Sequence, residues 1–260
     1  MKLAVAATAP IGADVLERLS AQHDIAYLLT RPDAQRGRGR KLAPPPAKLA
    51  AEALGIPVFQ PERPALPEPV DAVVVCAYGL YIPPALLERS LWLNVHPSLL
   101  PRWRGAAPVE RAILAGDEQT GVTIHRTVEA LDAGPIAAQE RFPIGDEDDA
   151  GSLFARSAEA AARLLDGVLH EPAFVDQPDE GTTYAEKITS ADRELRLDDP
   201  LDAWRRVRAL SPHIGAWTVL KGRRVIVWRA RLDEGEFVPV EVQPDGRNRM
   251  TYDEFLRGAR

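Results

Sequence analysis

Leu91-Trp92-Leu93-Asn94-Val95-His96-Pro97-Ser98-Leu99-Leu100-Pro101-Arg102-Trp103-Arg104-Gly105 runs from an apolar stretch into a loop stiffened by Pro97 and Pro101. An apolar run that ends in polar side chains and prolines is how a buried strand brings chemistry to the rim of a sheet. The amide of Asn94, the imidazole of His96 and, further on, the carboxylate of Asp132 are the parts needed to move an acyl group onto an amine. An amide donates to a developing oxyanion, an imidazole handles a proton near neutral pH, and a carboxylate holds the imidazole.

On either side of this stretch the pattern alternates. Residues 3–7, 25–29, 72–77 and 92–95 are short runs rich in Val, Ile and Leu, and the segments between them carry helical spacing at 15–19 and 47–54. Gly55 closes the second of these like a helix C-cap. Strand–helix alternation predicts an α/β layer with a parallel sheet. Two more strands are expected at 122–127 and 136–142, and a long helix at 151–169. After His170 the periodicity stops: 171–183 holds Pro172, Pro178 and Gly181 and reads as a linker. Beyond it a helix at 201–210 and short strands at 217–220, 225–230 and 238–242, with a tight turn at Lys221-Gly222-Arg223, predict a small β-rich domain. The division is therefore 1–170, a linker at 171–188, and 189–260.

Composition narrows the class. The 260 residues are ordinary for a globular protein and leave ample core. Lys2 followed by an apolar run resembles a short signal peptide, but Pro10, Asp14 and Glu17 interrupt it, so it reads as a first strand. No segment is long enough to span a membrane, and a cytoplasmic enzyme is the expectation. The lone Cys76, inside Val73-Val74-Val75-Cys76-Ala77, forms no intrachain disulfide and reads as core filler. The net charge of −6 argues mildly against a nucleic-acid partner, yet Arg36, Arg38, Arg40, Lys41 and Lys48 crowd one acid-free stretch. A second basic group is Arg205, Arg206, Arg208, Lys221, Arg223, Arg224, Arg229 and Arg231. A solvated face is the ordinary reading of either run alone. The glycine fingerprints of dinucleotide and phosphate loops are missing, which disfavours NAD and ATP.

Asn94-Val95-His96 followed by Ser98-Leu99-Leu100-Pro101 resembles the signature of the formyltransferases that draw on 10-formyltetrahydrofolate. The continuation through Arg102-Trp103-Arg104-Gly105-Ala106-Ala107-Pro108, Gly116-Asp117 and Thr120-Gly121-Val122-Thr123-Ile124 is similar to the branch whose acceptor is initiator methionyl-tRNA. The resemblance implies a Rossmann-like catalytic domain and a short C-terminal domain related to oligonucleotide-binding barrels. It implies an amine attacking the formyl carbon, with Asn94, His96 and Asp132 catalytic and no metal. Ser98, Leu99, Leu100 and Pro101, with Tyr78 and Gly79, would line the folate site. Arg36, Arg38, Arg40 and Lys41 would reach the tRNA acceptor end, in a protein expected to be monomeric and to release tetrahydrofolate and N-formylmethionyl-tRNA for translation initiation.

Each of these residues has a plainer reading: Asn94 as a strand-end cap, His96 as a loop residue, Asp132 as a turn residue. Only two Asn occur in the chain, and the three residues match the family pattern in order and spacing, which favours chemistry. His125, inside Thr123-Ile124-His125-Arg126-Thr127, tempts a metal reading with His96 and Asp132, but no other ligand motif accompanies it. A structural or solvent-facing role is expected for it. Two rival readings remain: formylation of a sugar-nucleotide amine, and a non-catalytic tRNA- or folate-binding relative.

Overall fold

Seven strands, in the spatial order 136–143, 119–126, 91–96, 72–76, 3–7, 25–29 and 58–59, form the main sheet of the computed structural model. It describes residues 1–36 and 41–258, without the side chain of Arg36. The strands are β1 (Leu3–Ala7), β2 (Ile25–Leu29), β3 (Ala34–Arg36), β4 (Lys41–Ala43), β5 (Val58–Phe59), β6 (Ala72–Cys76), β7 (Leu91–His96), β8 (Arg104–Gly105), β9 (Gln119–Arg126), β10 (Ile136–Pro143), β11 (Tyr184–Ala185), β12 (Ala216–Leu220), β13 (Arg223–Asp233), β14 (Glu236–Pro244) and β15 (Met250–Thr251). The helices are α1 (Pro10–Ser20), α2 (Pro46–Ala53), α3 (Pro84–Leu87), α4 (Pro108–Ala115), α5 (Ala150–His170), α6 (Pro200–Leu210) and α7 (Tyr252–Gly258).

The chain divides into two compact units: 1–104 with 121–141 and 155–183, and 105–120 with 142–154 and 184–260. In the first, β2, β1, β6 and β7 run parallel, and β9 pairs antiparallel with β7. Every residue of β1 and β6 is buried, as expected of parallel strands covered on both faces. One face packs Ala4, Ala6, Tyr27, Leu29, Val73, Val75 and Trp92 into a single cluster. At the other, α1 begins so close to the sheet that a Cβ on Gly12 would lie 2.7 Å from both Ala7 Cβ and the Cys76 carbonyl oxygen. Because β1, β6 and β7 are parallel, Ala7, Cys76 and His96 all end at the same rim, where ligands bind in open α/β sheets.

The second unit holds an antiparallel sheet, β12-β13-β14-β15, and a core of Val207, Leu210, Val225, Val227, Val242 and Phe255. Its hairpins turn at Lys221-Gly222 and Glu234-Gly235, all four residues at positive φ, which matches the right-handed strand twist. Helix α6 starts at Pro200 with the Asp199 side chain accepting from the Asp202 N–H at 3.0 Å. Among the described residues no helix is long and apolar enough to cross a membrane.

The expected strands and long helices are present. The basic stretch around 31–46 carries the β3–β4 pairing, with Ala34 opposite Ala43 and Arg36 opposite Lys41. Its base is anchored where Lys48 Nζ meets both Asp33 oxygens at 2.9 and 3.0 Å and Gln60 at 3.0 Å. Lys48 is therefore an internal partner in that stretch. α4, β15 and α7 span only eight, two and seven residues, too short for a periodic pattern to stand out.

Candidate active site

Asn94 and His96 sit two residues apart on β7, so the pleat sends both side chains to one face. Asp132 lies in the turn between β9 and β10 and reaches back to them. Its Oδ1 accepts from Asn94 Nδ2 at 3.2 Å, and its Oδ2 stands 3.7 Å from His96 Nδ1. The cluster is nearly dry: His96 is 4 % exposed and the Asp132 side chain 10 %.

The imidazole of His96 is oriented by the Trp103 backbone carbonyl, 2.8 Å from Nε2, and not by Asp132, whose distance is beyond a hydrogen bond. A carbonyl only accepts, so Nε2 carries the proton and the Nδ1 lone pair faces the carboxylate. Burial holds the His96 pKa below its ordinary value; Asp132 and the Trp103 carbonyl act against that, and His125 adds to it. The ring is thus neutral near pH 7, with Nδ1 as its basic atom.

A fourth residue completes the group. His125, 1 % exposed, lies directly opposite Asn94 in the antiparallel register. Its Nδ1 donates to the Arg126 carbonyl at 3.0 Å, which leaves Nε2 to accept from Asn94 Nδ2 at 3.0 Å. Both N–H groups of the Asn94 amide are therefore aimed at acceptors, and the oxygen is turned away. A structural or solvent-facing role was expected for His125; it is neither exposed nor remote from Asn94. It marks the same β9 face as Thr123, two residues away, but only the register places it on Asn94.

Three non-glycine residues in left-handed backbone conformations cluster in these loops: Ala77 (φ 47°), Trp103 (φ 64°) and Asp132 (φ 48°). Such conformations cost about 1–2 kcal/mol each, and hydrogen bonds to the Trp103 N–H and carbonyl and to the Asp132 carbonyl hold two of them in place. The loop 97–102 is fastened to β9 and β10. Thr123 Oγ1 donates to the Ser98 carbonyl (2.6 Å) and accepts from Leu100 N (3.2 Å) and Gln139 Nε2 (2.8 Å). Gln139 Nε2 also reaches the Leu100 carbonyl at 2.9 Å. Ser98 is fully buried, its hydroxyl donating to the Arg102 carbonyl at 2.7 Å. Leu99 rests over Gly121, where a Cβ would come within 2.5 Å of it.

The family model described as "Formyl transferase" matches residues 1–169, and its C-terminal domain model matches residues 187–239. The chain belongs to the formyl transferase family. Among its formyltransferase relatives, the methionyl-tRNA formyltransferase of Cereibacter sphaeroides is 40 % identical over 99 % of this chain and 96 % of the relative. That of Acidothermus cellulolyticus is 46 % identical over 85 % and 73 %. Among solved structures, the methionyl-tRNA formyltransferase from Clostridium thermocellum superposes with a TM-score of 0.67 at 15 % identity, covering 94 % of this chain and 98 % of that one. The N-formyltransferase from Helicobacter canadensis, in complex with folinic acid and dTDP-3-aminofucose, gives 0.68 at 17 %, covering 90 % and 88 %. These two share the fold.

The remaining expected residues divide by accessibility. Tyr78 is packed into the core with its hydroxyl buried and its pKa pushed up to about 12, so that segment offers backbone and the positive-φ Gly79 at the rim. Lys41 is exposed on β4; Arg38, Arg40 and the side chain of Arg36 lie outside the described residues. Of the C-terminal arginines, Arg206 pairs with Asp202 at 2.6 Å and Arg208 donates to the carbonyls of Asp148 and Gly145 while stacking on Trp204. Arg223 and Arg224, joined by Arg247 and Asp245, line a recess of about 410 Å³.

Proposed function

We infer that this protein transfers the formyl group of 10-formyltetrahydrofolate to the α-amino group of initiator methionyl-tRNA, releasing tetrahydrofolate and N-formylmethionyl-tRNA for translation initiation. The observation that carries this reading is the 40 % identity to a methionyl-tRNA formyltransferase across 99 % of the chain. The chemistry of the β7 rim supports it.

The neutral amine attacks the formyl carbon, a C–N bond forms, and charge gathers on the formyl oxygen. Asn94 supplies the stabilising N–H: its longer hydrogen bond, 3.2 Å to Asp132, is the one an oxyanion displaces. His96 takes the amine proton at Nδ1, because Nε2–H stays on the Trp103 carbonyl. Asp132, 3.7 Å away, steadies the imidazolium that results. The proton then passes to N10 as the carbon–N10 bond breaks. Leu99 and Pro101, with Gly79 and the backbone of the buried Ser98, Leu100 and Tyr78, form the folate wall. Arg36, Arg38, Arg40 and Lys41 grip the tRNA acceptor end through phosphate charge.

In this assignment residues 1–170 catalyse, 171–188 connect, and 189–260 hold the tRNA body, in a monomeric cytoplasmic enzyme. The test is formylation of methionylated initiator tRNA by purified protein with 10-formyltetrahydrofolate, beside an amino-sugar nucleotide. Turnover on tRNA alone is expected; turnover on the sugar amine alone overturns the acceptor assignment.

A further inference from the structure

Gln177 lies between α5 and β11, in the stretch the sequence presents as featureless. Its side chain makes four hydrogen bonds. Nε2 donates to the carbonyls of Asp132 (2.8 Å) and Gly134 (2.7 Å), and Oε1 accepts from Arg104 Nε (3.0 Å) and Nη2 (2.7 Å). Carbonyls only accept and a guanidinium only donates, so the amide has one orientation.

Its reach is set by register. Val175 and Ile136 exchange backbone hydrogen bonds of 2.8 and 2.9 Å as an antiparallel bridge, which sets residue 177 opposite residue 134. The clasped turn needs holding: Asp132 sits at φ 48°, and a Cβ on Gly134 would meet the Arg126 carbonyl oxygen at 1.8 Å. On its other side Gln177 fixes Arg104, the residue after Trp103, whose carbonyl orients His96. The same segment holds that loop again at Thr183. Its hydroxyl accepts from Trp103 N and its carbonyl from Arg104 N, each at 2.9 Å.

We propose that Gln177 is a positioning residue for formyl transfer: one amide clasps the turn presenting Asp132 and the loop orienting His96. The proposal rests on the reaction assigned above for its kinetic consequence, and on geometry alone for the clasp.

Gln177→Met keeps the shape and removes all four hydrogen bonds. In full-length protein it should lower kcat by about tenfold or more while leaving KM for donor and tRNA within twofold. The groups facing His96 are Asp132 from the β9–β10 turn and His125 from β9. With Asp132 released, the NMR titration of the His96 ring should move to lower pH. Gln177→Glu is the second variant: it keeps oxygens for Arg104 but has no N–H for the two carbonyls, and it should lose kcat similarly. Full kcat in the Glu variant, or a loss confined to KM with the His96 titration unmoved, would overturn the proposal. The titration is read without substrate. A wild type inactive on tRNA whose His96 shifts in Gln177→Met would therefore refute the reaction and keep the clasp.

Discussion

The end of β7 and the arginine-rich surface of the C-terminal sheet are both polar, yet they differ in what surrounds each polar group. At β7 two buried imidazoles and a partly buried amide and carboxylate are linked through contacts of Asn94 and Asp132, and each imidazole is oriented by a backbone carbonyl. On the C-terminal unit eight basic residues look equivalent in sequence, but the fold sorts them. Arg206 and Arg208 are spent on internal partners and Arg224 stacks on Trp217, while Arg223 lines an open recess. Burial makes a polar residue's role specific; exposure leaves it interchangeable.

The sharpest break would come at β7. His96→Ala should cut kcat by about 100-fold or more, removing the proton acceptor, and should also cost about 1–3 kcal/mol of stability by leaving the Trp103 carbonyl unpaired. A kcat within about tenfold of wild type in the folded variant would make His96 a structural residue.

On the C-terminal unit the expected signs reverse. Arg111, whose guanidinium forks onto both Asp192 oxygens at 2.9 and 3.2 Å and reaches the carbonyls of Glu186 and Lys187, should cost about 2 kcal/mol when changed to Ala. Arg223→Ala should change stability by less than about 0.5 kcal/mol and instead weaken tRNA binding, reducing its salt slope by about one phosphate contact. Equal stability losses in a denaturation series would erase the distinction.

A subtler consequence concerns pH. Burial lowers the folded-state pKa of His96 below the usual 6.5 or so. The unfolded chain takes up that proton first, so stability contributed by the neutral ring falls as pH drops from about 6.5 toward the folded value. An NMR titration midpoint below 6.5 is expected; one above it would contradict a dry site. The smallest effect is Lys41→Ala on the exposed β4 edge, expected to raise KM for tRNA severalfold at low salt and not at high salt.

These contrasts also explain what was legible beforehand. Fully buried strands such as β1 and β6 declare themselves as unbroken apolar runs, and the Asn94–His96 spacing fixes a shared face through the pleat alone. His125 and Gln177 could not be read the same way. His125 meets Asn94 only through the antiparallel register of β9 with β7, and Gln177 meets Asp132 only because Val175 bridges Ile136. Neither pairing leaves a periodic trace. Trp103 was hidden for a different reason: it acts through its carbonyl, which every residue has.

The most direct test of the account is a single-turnover measurement of formyl transfer to methionyl-tRNA, at saturating donor and tRNA, with wild type and Asn94→Ala. Loss of the oxyanion donor predicts a rate lower by about 100- to 1000-fold. A rate within twofold of wild type would contradict the assignment of this strand end as the site of chemistry.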